Sequence, residues 1–429
     1  MATTEWGFAT EQVHAGIRPD GGHGARITPV YLSNGFLFDD FDQARERFAG
    51  ESEGYYYTRY GNPTIAAVER KLAGLEHGTD ALAVASGQAA LTIAFLTLLQ
   101  QGDHVVSARS IYEGTRGLLR EDFARFGITA SFVKDPNDAD ALEAAFRPNT
   151  KAVFIESIPN PRNDVPDLEL VARVAHEHGV PVIVDNTLGT PFHVRPIDHG
   201  ADLVVHSTSK FLSGHGSAIG GAIVDSGSSY LTDAFAEESS LASTARSAGA
   251  LQEPTGFLQR ARSLAGRFGP TLSPFNAFLL QHGIETLSLR MRQQSGNALE
   301  LARWLEGRPE VASVDYSGLA SSPHHANAER YLRNGYGAVF AFTLRGGLPA
   351  AESLINGVTL WSRMTHLGDV RSLILHPAST THIHLTAAEL AENGIEPGTI
   401  RLSVGIEEVA DLIADLEQAL RPRSASTTA

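Results

Sequence analysis

Two short apolar runs, each followed by polar residues, hold the side chains in this chain that are best suited to chemistry. The run Val180–Val184 ends in Asp185, and the run Leu203–Val205 leads into a polar cluster that ends in Lys210. Short β-branched runs bounded by Gly and Asp are typical of strands buried on both faces of a sheet. The loops after such strands lie at the carboxyl edge, where open α/β sheets bind ligands.

An acid and a lysine on neighbouring strand ends suit pyridoxal phosphate (PLP). The ε-amine of Lys210 can hold this cofactor covalently, and the carboxylate of Asp185 can keep the pyridine nitrogen protonated, so that the ring acts as an electron sink. The hydroxyls of Ser207 and Ser209 could donate to the phosphate. Alternatively, Asp185 is a turn residue and Lys210 a solvated surface lysine. Lysine is scarce, which disfavours that alternative: the others are Lys71, Lys134 and Lys151.

The stretch from VDNT to GADLVVHSTSKFLSGHG resembles the PLP site of the Cys/Met-metabolism (transsulfuration) family of fold-type-I PLP enzymes. The resemblance extends over about residues 8–422 and is interrupted at 225–256. It implies an α/β fold of the aspartate aminotransferase type, in which a large domain with a mostly parallel sheet precedes a smaller α+β domain. It also implies that Lys210, Tyr112 and Asp185 are catalytic.

Composition excludes several other classes of protein. The chain has 429 residues, 42% of them hydrophobic and 19% charged, which is ordinary for a globular enzyme of two or more domains. A net charge of -15 without a basic block argues against nucleic-acid and anionic-membrane partners. The absence of cysteine excludes disulfides and thiolate chemistry. No signal peptide or long apolar run is present, so we expect a cytoplasmic protein with no membrane partner.

The pattern along the chain predicts four parts. Residues 1–63 form a polar N-terminal arm, 64–285 the PLP-binding large domain, 286–422 the C-terminal small domain and 423–429 a disordered tail. Strand and helix patterns alternate from about residue 64 to 225, which is typical of a doubly wound sheet. The segment 225–256 has no strong periodicity and is either a flap at the active-site mouth or a surface loop.

The arm ends in GYYYTRYGNPT, Gly54–Thr64. Arg59 could donate two hydrogen bonds to a phosphate, or the loop could pack against a neighbouring surface. The segment resembles the YxRxGNPT motif of the family, which implies that Tyr57 and Arg59 bind the PLP phosphate in the site of a partner subunit. We expect the next helix to begin at Thr64, which can cap it.

The remaining cofactor contacts follow from further motifs. Ser86–Ala90, SGQAA, lies between a predicted strand and a helix, where backbone N–H groups can hold an anion. The resemblance implies that the amides of Gly87 and Gln88 bind the phosphate, that Tyr112 stacks on the ring and that Asn160 meets the 3′-oxygen. It also implies cofactor contacts from residues on the central strand ends: Asp185, Thr187, Ser207, Ser209 and Lys210.

The small domain carries the predicted substrate contacts. Arg401 lies within a short strand pattern, where a charge needs a counterion. The resemblance implies that Arg401 binds the substrate α-carboxylate, with Asn160 and Ser379 nearby; a salt-bridged strand arginine is the alternative. His376, His382 and His384 lack the carboxylates of a metal site, so we predict no metal. Two residues depart from the family pattern, Glu113 and His366.

The segment SPFNAFLLQHGIETLSLRMRQ resembles the sulfhydrylase branch of the family. This resemblance implies that O-acetylhomoserine and sulfide are the substrates, that sulfide replaces acetate, and that homocysteine for methionine biosynthesis is the product. Cystathionine γ-synthase and methionine γ-lyase chemistry are the alternatives within the family, and a non-catalytic PLP-binding regulatory homologue is the alternative outside it. No GxGxxG turn follows the first predicted strand, which argues against a Rossmann nucleotide binder. The resemblance also implies a homotetramer, a dimer of dimers with shared active sites.

Overall fold

The computed structural model of the protein describes residues 6–18, 22–232 and 256–421. Most of the segment 225–256 and all of the predicted tail 423–429 lie outside these residues, so the predictions for them stay untested.

The described residues form strands and helices in alternation. The strands are β1 (Asp80–Val84), β2 (His104–Ala108), β3 (Thr129–Val133), β4 (Thr150–Glu156), β5 (Val182–Asp185), β6 (Leu203–His206), β7 (Gly221–Asp225), β8 (Val311–Asp315), β9 (Val339–Leu344), β10 (Ser362–Arg363), β11 (Leu373–Leu375) and β12 (Thr399–Ser403). The α-helices are α1 (Phe8–His14), α2 (Phe41–Ala49), α3 (Pro63–Glu76), α4 (Gly87–Leu98), α5 (Glu113–Gly117), α6 (Ala139–Glu143), α7 (Leu168–Glu177), α8 (Thr190–His193), α9 (Ser229–Thr232), α10 (Gly256–Phe268), α11 (Pro274–Glu285), α12 (Leu287–Glu306), α13 (His325–Tyr331), α14 (Gly347–Gly357), α15 (Ala387–Glu392) and α16 (Val409–Leu420). A π-helical turn, Leu118–Asp122, and 3₁₀ turns at Phe123–Phe126, Pro196–His199 and Pro377–Ser379 complete the set.

The larger sheet has seven strands in the order β1-β7-β6-β5-β4-β2-β3. Strands β6, β5, β4, β2 and β3 are parallel, and β7 runs antiparallel to both of its neighbours. Such a sheet has helices on both faces, so its central strands read as continuous apolar runs. Val153, Phe154 and Ile183 on β4 and β5 are fully buried, and each such side chain stabilises the fold by roughly 1.5–3 kcal/mol. The prediction of a mostly parallel α/β sheet is confirmed.

The smaller sheet has five strands in the order β10-β11-β12-β9-β8. Strands β11, β12, β9 and β8 pair in antiparallel fashion, while β10 pairs in parallel with β11. Arg401 lies in the middle of β12, opposite Leu375 of β11 and Ala341 of β9. Because both neighbours are apolar, its guanidinium group finds no counterion within the sheet.

Helix α3 begins one residue earlier than predicted, and its cap differs. The side chain of Asn62 accepts a hydrogen bond from the backbone N–H of Thr64 (2.9 Å), with Pro63 in the first turn. The prediction that Thr64 caps this helix was therefore wrong. Its hydroxyl instead donates to the carbonyl of Pro29 (2.8 Å) and accepts from the N–H of Tyr31 (2.9 Å).

A buried lysine holds the start of the chain against α3. Lys71 is fully buried, and its ammonium group donates to the carbonyl oxygens of Gln12 (2.7 Å) and Val13 (3.2 Å). Burial is the main cause that lowers the pKa of Lys71 to about 8. Within the three described ranges, no helix is long and apolar enough to cross a membrane.

Candidate active site

A cavity of about 430 Å³ opens at the carboxyl edge of the larger sheet, where strands β1, β4, β5 and β6 end. The chain between β10 and β11, together with Arg401 of β12, forms the opposite wall. The cavity brings together ten of the predicted site residues: Gly87, Gln88, Tyr112, Asn160, Asp185, Thr187, Ser207, Ser209, Lys210 and Arg401.

Asp185 ends β5 and is largely buried beneath the cavity. Its carboxyl group accepts the backbone N–H of Thr187 (2.9 Å), and the Thr187 hydroxyl in turn accepts the N–H of Ser207 (2.8 Å). Burial raises the pKa of Asp185, although the hydrogen bonds from Thr187 and the nearby ring of His206 oppose the shift. A buried carboxyl group in this position is suited to pair with a cationic ring nitrogen, because this ion pair would compensate for the loss of hydration of the carboxylate.

Glu156 ends β4 and is a second buried carboxyl group in the cavity wall. It accepts the backbone N–H of Tyr112 (2.6 Å), which fixes the start of helix α5. Burial first, and the neighbouring Asp185 second, raise the pKa of Glu156 well above its ordinary value. The sequence analysis did not identify Glu156, although it ends an apolar run in the same way as Asp185.

The amine of Lys210 projects into the cavity from the turn after β6. Burial, and then the positive charge of Arg401, lower the pKa of Lys210 to about 8. A lysine with this pKa can both accept and donate a proton near neutral pH. Its Nζ atom lies 3.2 Å from Nδ1 of His366, one of the two residues that depart from the family pattern.

Arg401 is buried in the opposite wall. Its Nη2 atom donates to the backbone carbonyls of Thr365 (2.9 Å) and His366 (3.1 Å), while Nε is buried without a hydrogen-bond partner. Burial lowers the pKa of Arg401 to about 10, yet the group stays charged at neutral pH. A cation held by neutral carbonyls, with a donor to spare, is suited to bind a carboxylate from the cavity.

A tight turn forms the floor where helix α4 begins. Ser86 caps the helix by accepting the N–H of Ala89 (3.1 Å), so the amides of Gly87 and Gln88 lie in the first turn, where the helix offers no acceptor. A Cβ atom at Gly87 would lie 2.7 Å from Cβ of Ser207. Only glycine therefore lets the two turns approach, and together they form an anion-binding cradle.

The two serines after β6, Ser207 and Ser209, differ in whether their hydroxyl groups are available to a bound anion. The hydroxyl of Ser209 donates to the carbonyl of Gly220 (3.2 Å) and accepts its N–H (3.0 Å), so it braces the turn before β7. Ser207 lies beside Gly87 at the cradle itself. Across the cavity, Oδ1 of Asn160 is buried without a hydrogen-bond partner, which leaves it able to accept one from a bound molecule.

Three predicted site residues lie outside the cavity. Tyr57 and Arg59 line a separate pocket beside α3, where Arg59 donates to the carbonyl of Gly266 and lies 4.6 Å from the ring centroid of Tyr60. Ser379 is exposed, and its hydroxyl lies 2.8 Å from Nδ1 of His376. Thr381, which the sequence analysis did not single out, lines the cavity instead.

Glu113, the other departure from the family pattern, faces Arg116 rather than the cavity. The two side chains are largely buried and lie 3.4 Å apart. Burial raises the pKa of Glu113, and the charge of Arg116 opposes the shift. In the part of the chain that the structure describes, no three His, Asp or Glu side chains are grouped so that they could hold a metal ion.

These features fit PLP. The cradle of Gly87, Gln88 and Ser207 suits a phosphate, the buried carboxyl group of Asp185 suits a pyridinium nitrogen, and the free acceptor of Asn160 suits a ring hydroxyl. The amine of Lys210 faces the same space. Besides Glu156, eight residues line the cavity that sequence reasoning did not assign to the site: Ser86, Leu91, Ile158, Leu188, Met364, Thr365, Leu367 and Thr381.

Comparison with known proteins gives consistent matches over nearly the whole chain. The family model described as Cys/Met metabolism PLP-dependent enzyme matches residues 9–421. The homocysteine synthase of Schizosaccharomyces pombe is 43% identical to this chain, and the alignment covers 96% of this chain and 98% of that protein. The L-methionine gamma-lyase of Treponema denticola is 40% identical, with 96% of each chain covered.

A solved crystal structure is also similar to this chain over nearly its whole length. The crystal structure of a Campylobacter jejuni protein, described as a candidate O-acetylhomoserine (thiol)-lyase with N′-pyridoxyl-lysine-5′-monophosphate, matches with a TM-score of 0.90 at 35% identity. The match covers 97% of this chain and 100% of that one. The predicted fold class is confirmed.

Proposed function

The chain belongs to the Cys/Met metabolism PLP-dependent enzyme family, and we propose that it catalyses the replacement of acetate in O-acetylhomoserine by sulfide, which yields homocysteine. The similarity to a homocysteine synthase and to a candidate O-acetylhomoserine (thiol)-lyase supports this reaction. The family assignment makes PLP the cofactor and the protein an enzyme.

One observation carries the proposal: Lys210, Asp185 and Arg401 line a single cavity. The buried guanidinium group of Arg401 binds the α-carboxylate of an amino acid and so orients its α-carbon towards Lys210. A binding-only homologue would need an anion cradle but no buried lysine whose pKa is lowered to about 8. This argues for catalysis rather than regulation.

The side chains divide the work as follows. When bound, PLP supplies an electron sink for the bonds at the substrate's α- and β-carbons. Lys210 accepts and returns protons at these carbons, for which its pKa of about 8 is suitable. Asp185 holds the ring nitrogen, Asn160 the ring oxygen, and the Gly87–Gln88 turn with Ser207 the phosphate. Tyr112, fixed by Glu156 through its backbone N–H, covers the ring.

Methionine γ-lysis and cystathionine γ-synthesis share the first half of this chemistry and are the rival reactions. Methionine γ-lyases resemble one another in having a cysteine two residues after the stacking tyrosine, where this chain has Gly114. A Cβ atom at Gly114 would lie 2.5 Å from Cε1 of Tyr112, so the tyrosine ring occupies the space that a side chain would need. This supports sulfide addition over methionine breakdown.

An activity panel tests the proposal. O-acetyl-, O-succinyl- and O-phosphohomoserine are each supplied with sulfide or cysteine, and methionine is supplied alone. We expect homocysteine from O-acetylhomoserine and sulfide to form much faster than 2-oxobutanoate from methionine. Faster methionine breakdown would assign the enzyme to the lyase branch, cystathionine as the main product would assign it to the synthase branch, and the absence of any turnover by PLP-loaded protein would favour the regulatory homologue.

We also propose an arrangement for the whole enzyme. Tyr57 and Arg59 lie outside the cavity of their own chain, which supports a phosphate site that they complete in a partner subunit. We propose that the whole enzyme is a homotetramer, built as a dimer of dimers. The proposed parts are the arm, residues 1–63, the large domain, residues 64–285, and the small domain, residues 286–422. The substrates are small molecules, and we place the enzyme in the cytoplasm.

A further inference from the structure

A second, smaller pocket lies beside the active-site cavity, and we call it the side pocket. It has a volume of about 80 Å³, which suits one small anion or a few water molecules. Its walls come from the loops after β2 and β4, the residue after β3 and the chain at the end of α15. Asn160 lines both spaces, and Oγ1 of Thr381 in the cavity wall lies 2.9 Å from Nδ1 of His382 in the wall of the side pocket. The two spaces therefore adjoin.

The side pocket is positively charged, although the chain as a whole has a net charge of -15. Its four cationic side chains are those of Arg109, Arg116, Lys134 and Arg162, and its two carboxylates are those of Asp164 and Glu392. A cleft that is lined mainly by one sign of charge concentrates ions of the opposite sign.

Two of the four cations are already paired. Arg109 lies 3.5 Å from Glu392, and Arg116 lies 3.4 Å from Glu113. The positive charge that is available to a ligand must therefore come from the other two cations.

Arg162 and Lys134 are these unpaired cations. Within the residues that the structure describes, neither forms a hydrogen bond or an ion pair, and Nε of the half-buried Arg162 is buried without a partner. Asp164 accepts the hydroxyl group of Ser110 (2.7 Å), and burial raises the pKa of Asp315 although the charge of Arg162 opposes the shift. A guanidinium group in this setting lacks a counterion, which an anion from solution would supply.

Positive charge lies on both sides of the boundary between the two spaces. Burial, and then the charges of Arg116 and Arg401, lower the pKa of His382 to about 4. The neutral His382 is thus influenced by an arginine of the side pocket and by the arginine that is proposed to bind the substrate carboxylate. An anion beside His382 would be attracted from both directions.

We propose that the side pocket binds a small monoanion next to the active-site cavity, and that its ligands in the proposed reaction are hydrosulfide and acetate. This inference rests on the proposed function, because that reaction consumes the first anion and releases the second. Both are small enough for the pocket and carry one negative charge. The pocket would hold the nucleophile close to the cavity before it adds, or the leaving group after it departs.

The first experiment detects the anion without any turnover. The PLP-loaded enzyme is trace-labelled with an isotope-coded amine reagent, either in acetate or in a bulky sulfonate at the same ionic strength, and the lysine peptides are quantified by mass spectrometry. Lys134 is exposed, so the reagent reaches it, and Lys151 is an exposed lysine outside both spaces that serves as the internal control. A bound anion favours the charged, unreactive form of a nearby amine. We expect acetate to lower the labelling of Lys134 about threefold or more and to leave that of Lys151 unchanged.

Two variants locate the anion. Arg162→Gln removes an unpaired cation of the side pocket, and Arg173→Gln removes the same charge from the exposed face of α7, where Arg173 pairs with Glu177. Acetate should no longer protect Lys134 in Arg162→Gln but should still protect it in Arg173→Gln. Equal labelling of Lys134 in acetate and sulfonate, or full protection in Arg162→Gln, would overturn the proposal. Circular dichroism and bound PLP identify correctly folded samples.

The second experiment distinguishes the two ligands by steady-state kinetics. If the pocket delivers hydrosulfide, Arg162→Gln should raise KM for sulfide about fivefold and change kcat by less than about twofold, because the lost attraction acts before the reaction. If it holds the leaving group, the inhibition constant of acetate should rise about fivefold while KM for sulfide stays constant.

Two further outcomes are decisive. An Arg162→Gln enzyme in which neither constant differs from that of Arg173→Gln would overturn the assignment of the pocket to this reaction. A wild-type enzyme that turns over no acyl homoserine would instead refute the proposed function, and the labelling of Lys134 would still report whether the pocket binds an anion.

Discussion

Glu156 and Asp185 are register partners on the neighbouring parallel strands β4 and β5, so two carboxyl groups are buried side by side at one sheet edge. Two adjacent carboxylates do not both ionise in a buried site. Burial and the charge of Asp185 raise the pKa of Glu156 well above its ordinary value, whereas hydrogen bonds from Thr187 moderate the shift of Asp185. Burial and the charge of Asp185 therefore favour the neutral form of Glu156, whereas the hydrogen bonds from Thr187 favour the charged form of Asp185.

This pair predicts a pH-dependent difference in stability for Glu156→Gln. The folded-state pKa of Glu156 is raised, so its stabilising contribution is fully present below its ordinary value of 4.5 and is lost as the pH rises through the raised pKa. Glutamine keeps the acceptor for the Tyr112 N–H but cannot ionise. In urea unfolding, we expect the free energy of unfolding of the variant relative to wild type to increase from about pH 5 to about pH 8. A difference that is constant with pH would show that Glu156 is ionised in the native enzyme.

Gly87 provides a test of the phosphate cradle. In Gly87→Ala the new Cβ atom would lie 2.7 Å from Cβ of Ser207, so the first turn of α4 must move away from the turn after β6. We expect PLP affinity, measured by equilibrium dialysis, to fall about tenfold or more, because displaced N–H donors each contribute about 1–3 kcal/mol to a charged ligand.

Gly296 in α12 is the matched control for this change. Nothing lies within 4 Å of a Cβ atom placed there, and the residue is helical. Gly296→Ala should leave PLP affinity unchanged and stabilise the protein by about 0.5–1 kcal/mol. Equal PLP affinities for the two variants would contradict the role of the cradle.

Lys210 should be the residue that holds PLP covalently. We expect purified enzyme to be yellow, and borohydride treatment to fix the cofactor to the peptide that contains Lys210. Lys71 is a stringent internal control, because it is fully buried and its ammonium group donates to the carbonyl groups of Gln12 and Val13. Label on Lys71, Lys134 or Lys151 would refute the assignment.

The shared site predicts complementation between two inactive variants. Arg59→Ala removes the guanidinium group that the arm is proposed to place in the partner's phosphate site, and Lys210→Ala removes the amine. Each variant should be inactive alone. Mixed under conditions of subunit exchange, they should regain about one quarter of wild-type activity, since some hybrid sites carry neither defect. Mixing Lys210→Ala with Asp185→Asn, whose defects lie in the same cavity, should restore nothing. Hybrids that form but remain inactive would place Arg59 in the site of its own chain.

Sequence reasoning worked where a polar residue follows a buried apolar run. Asp185 and Lys210 were found in this way, and Arg401 because a charge within a strand pattern needs a partner. Glu156 carries the same signal, an acid directly after an apolar run, and was missed. The contact of His366 with Lys210 joins residues 156 positions apart and could not be read from spacing.

The strands, like the site residues, were predictable from the sequence only where the local pattern is clear. The central strands were predicted because burial on both faces makes them continuously apolar. Strand β3 was missed, since most of its residues are only partly buried and its run TASFV has no clear period. The wall residues Met364 to Leu367 lie in the connection between β10 and β11 of the smaller sheet, and only tertiary packing brings them to Lys210.

The attachment of the N-terminal part to α3 bears on the entropy of assembly. Lys71 fixes the chain at Gln12 and Val13, and further along Tyr31 is bound both by the hydroxyl of Thr64 and by the side-chain amide of Asn62 (2.8 Å). The stretch 31–62 is thus a loop closed at both ends before any partner arrives. If Arg59 enters the site of a neighbouring subunit, as proposed, the arm that carries it is already ordered by the folding of its own chain. Association of the subunits therefore costs less conformational entropy than it would if the arm were a free tail.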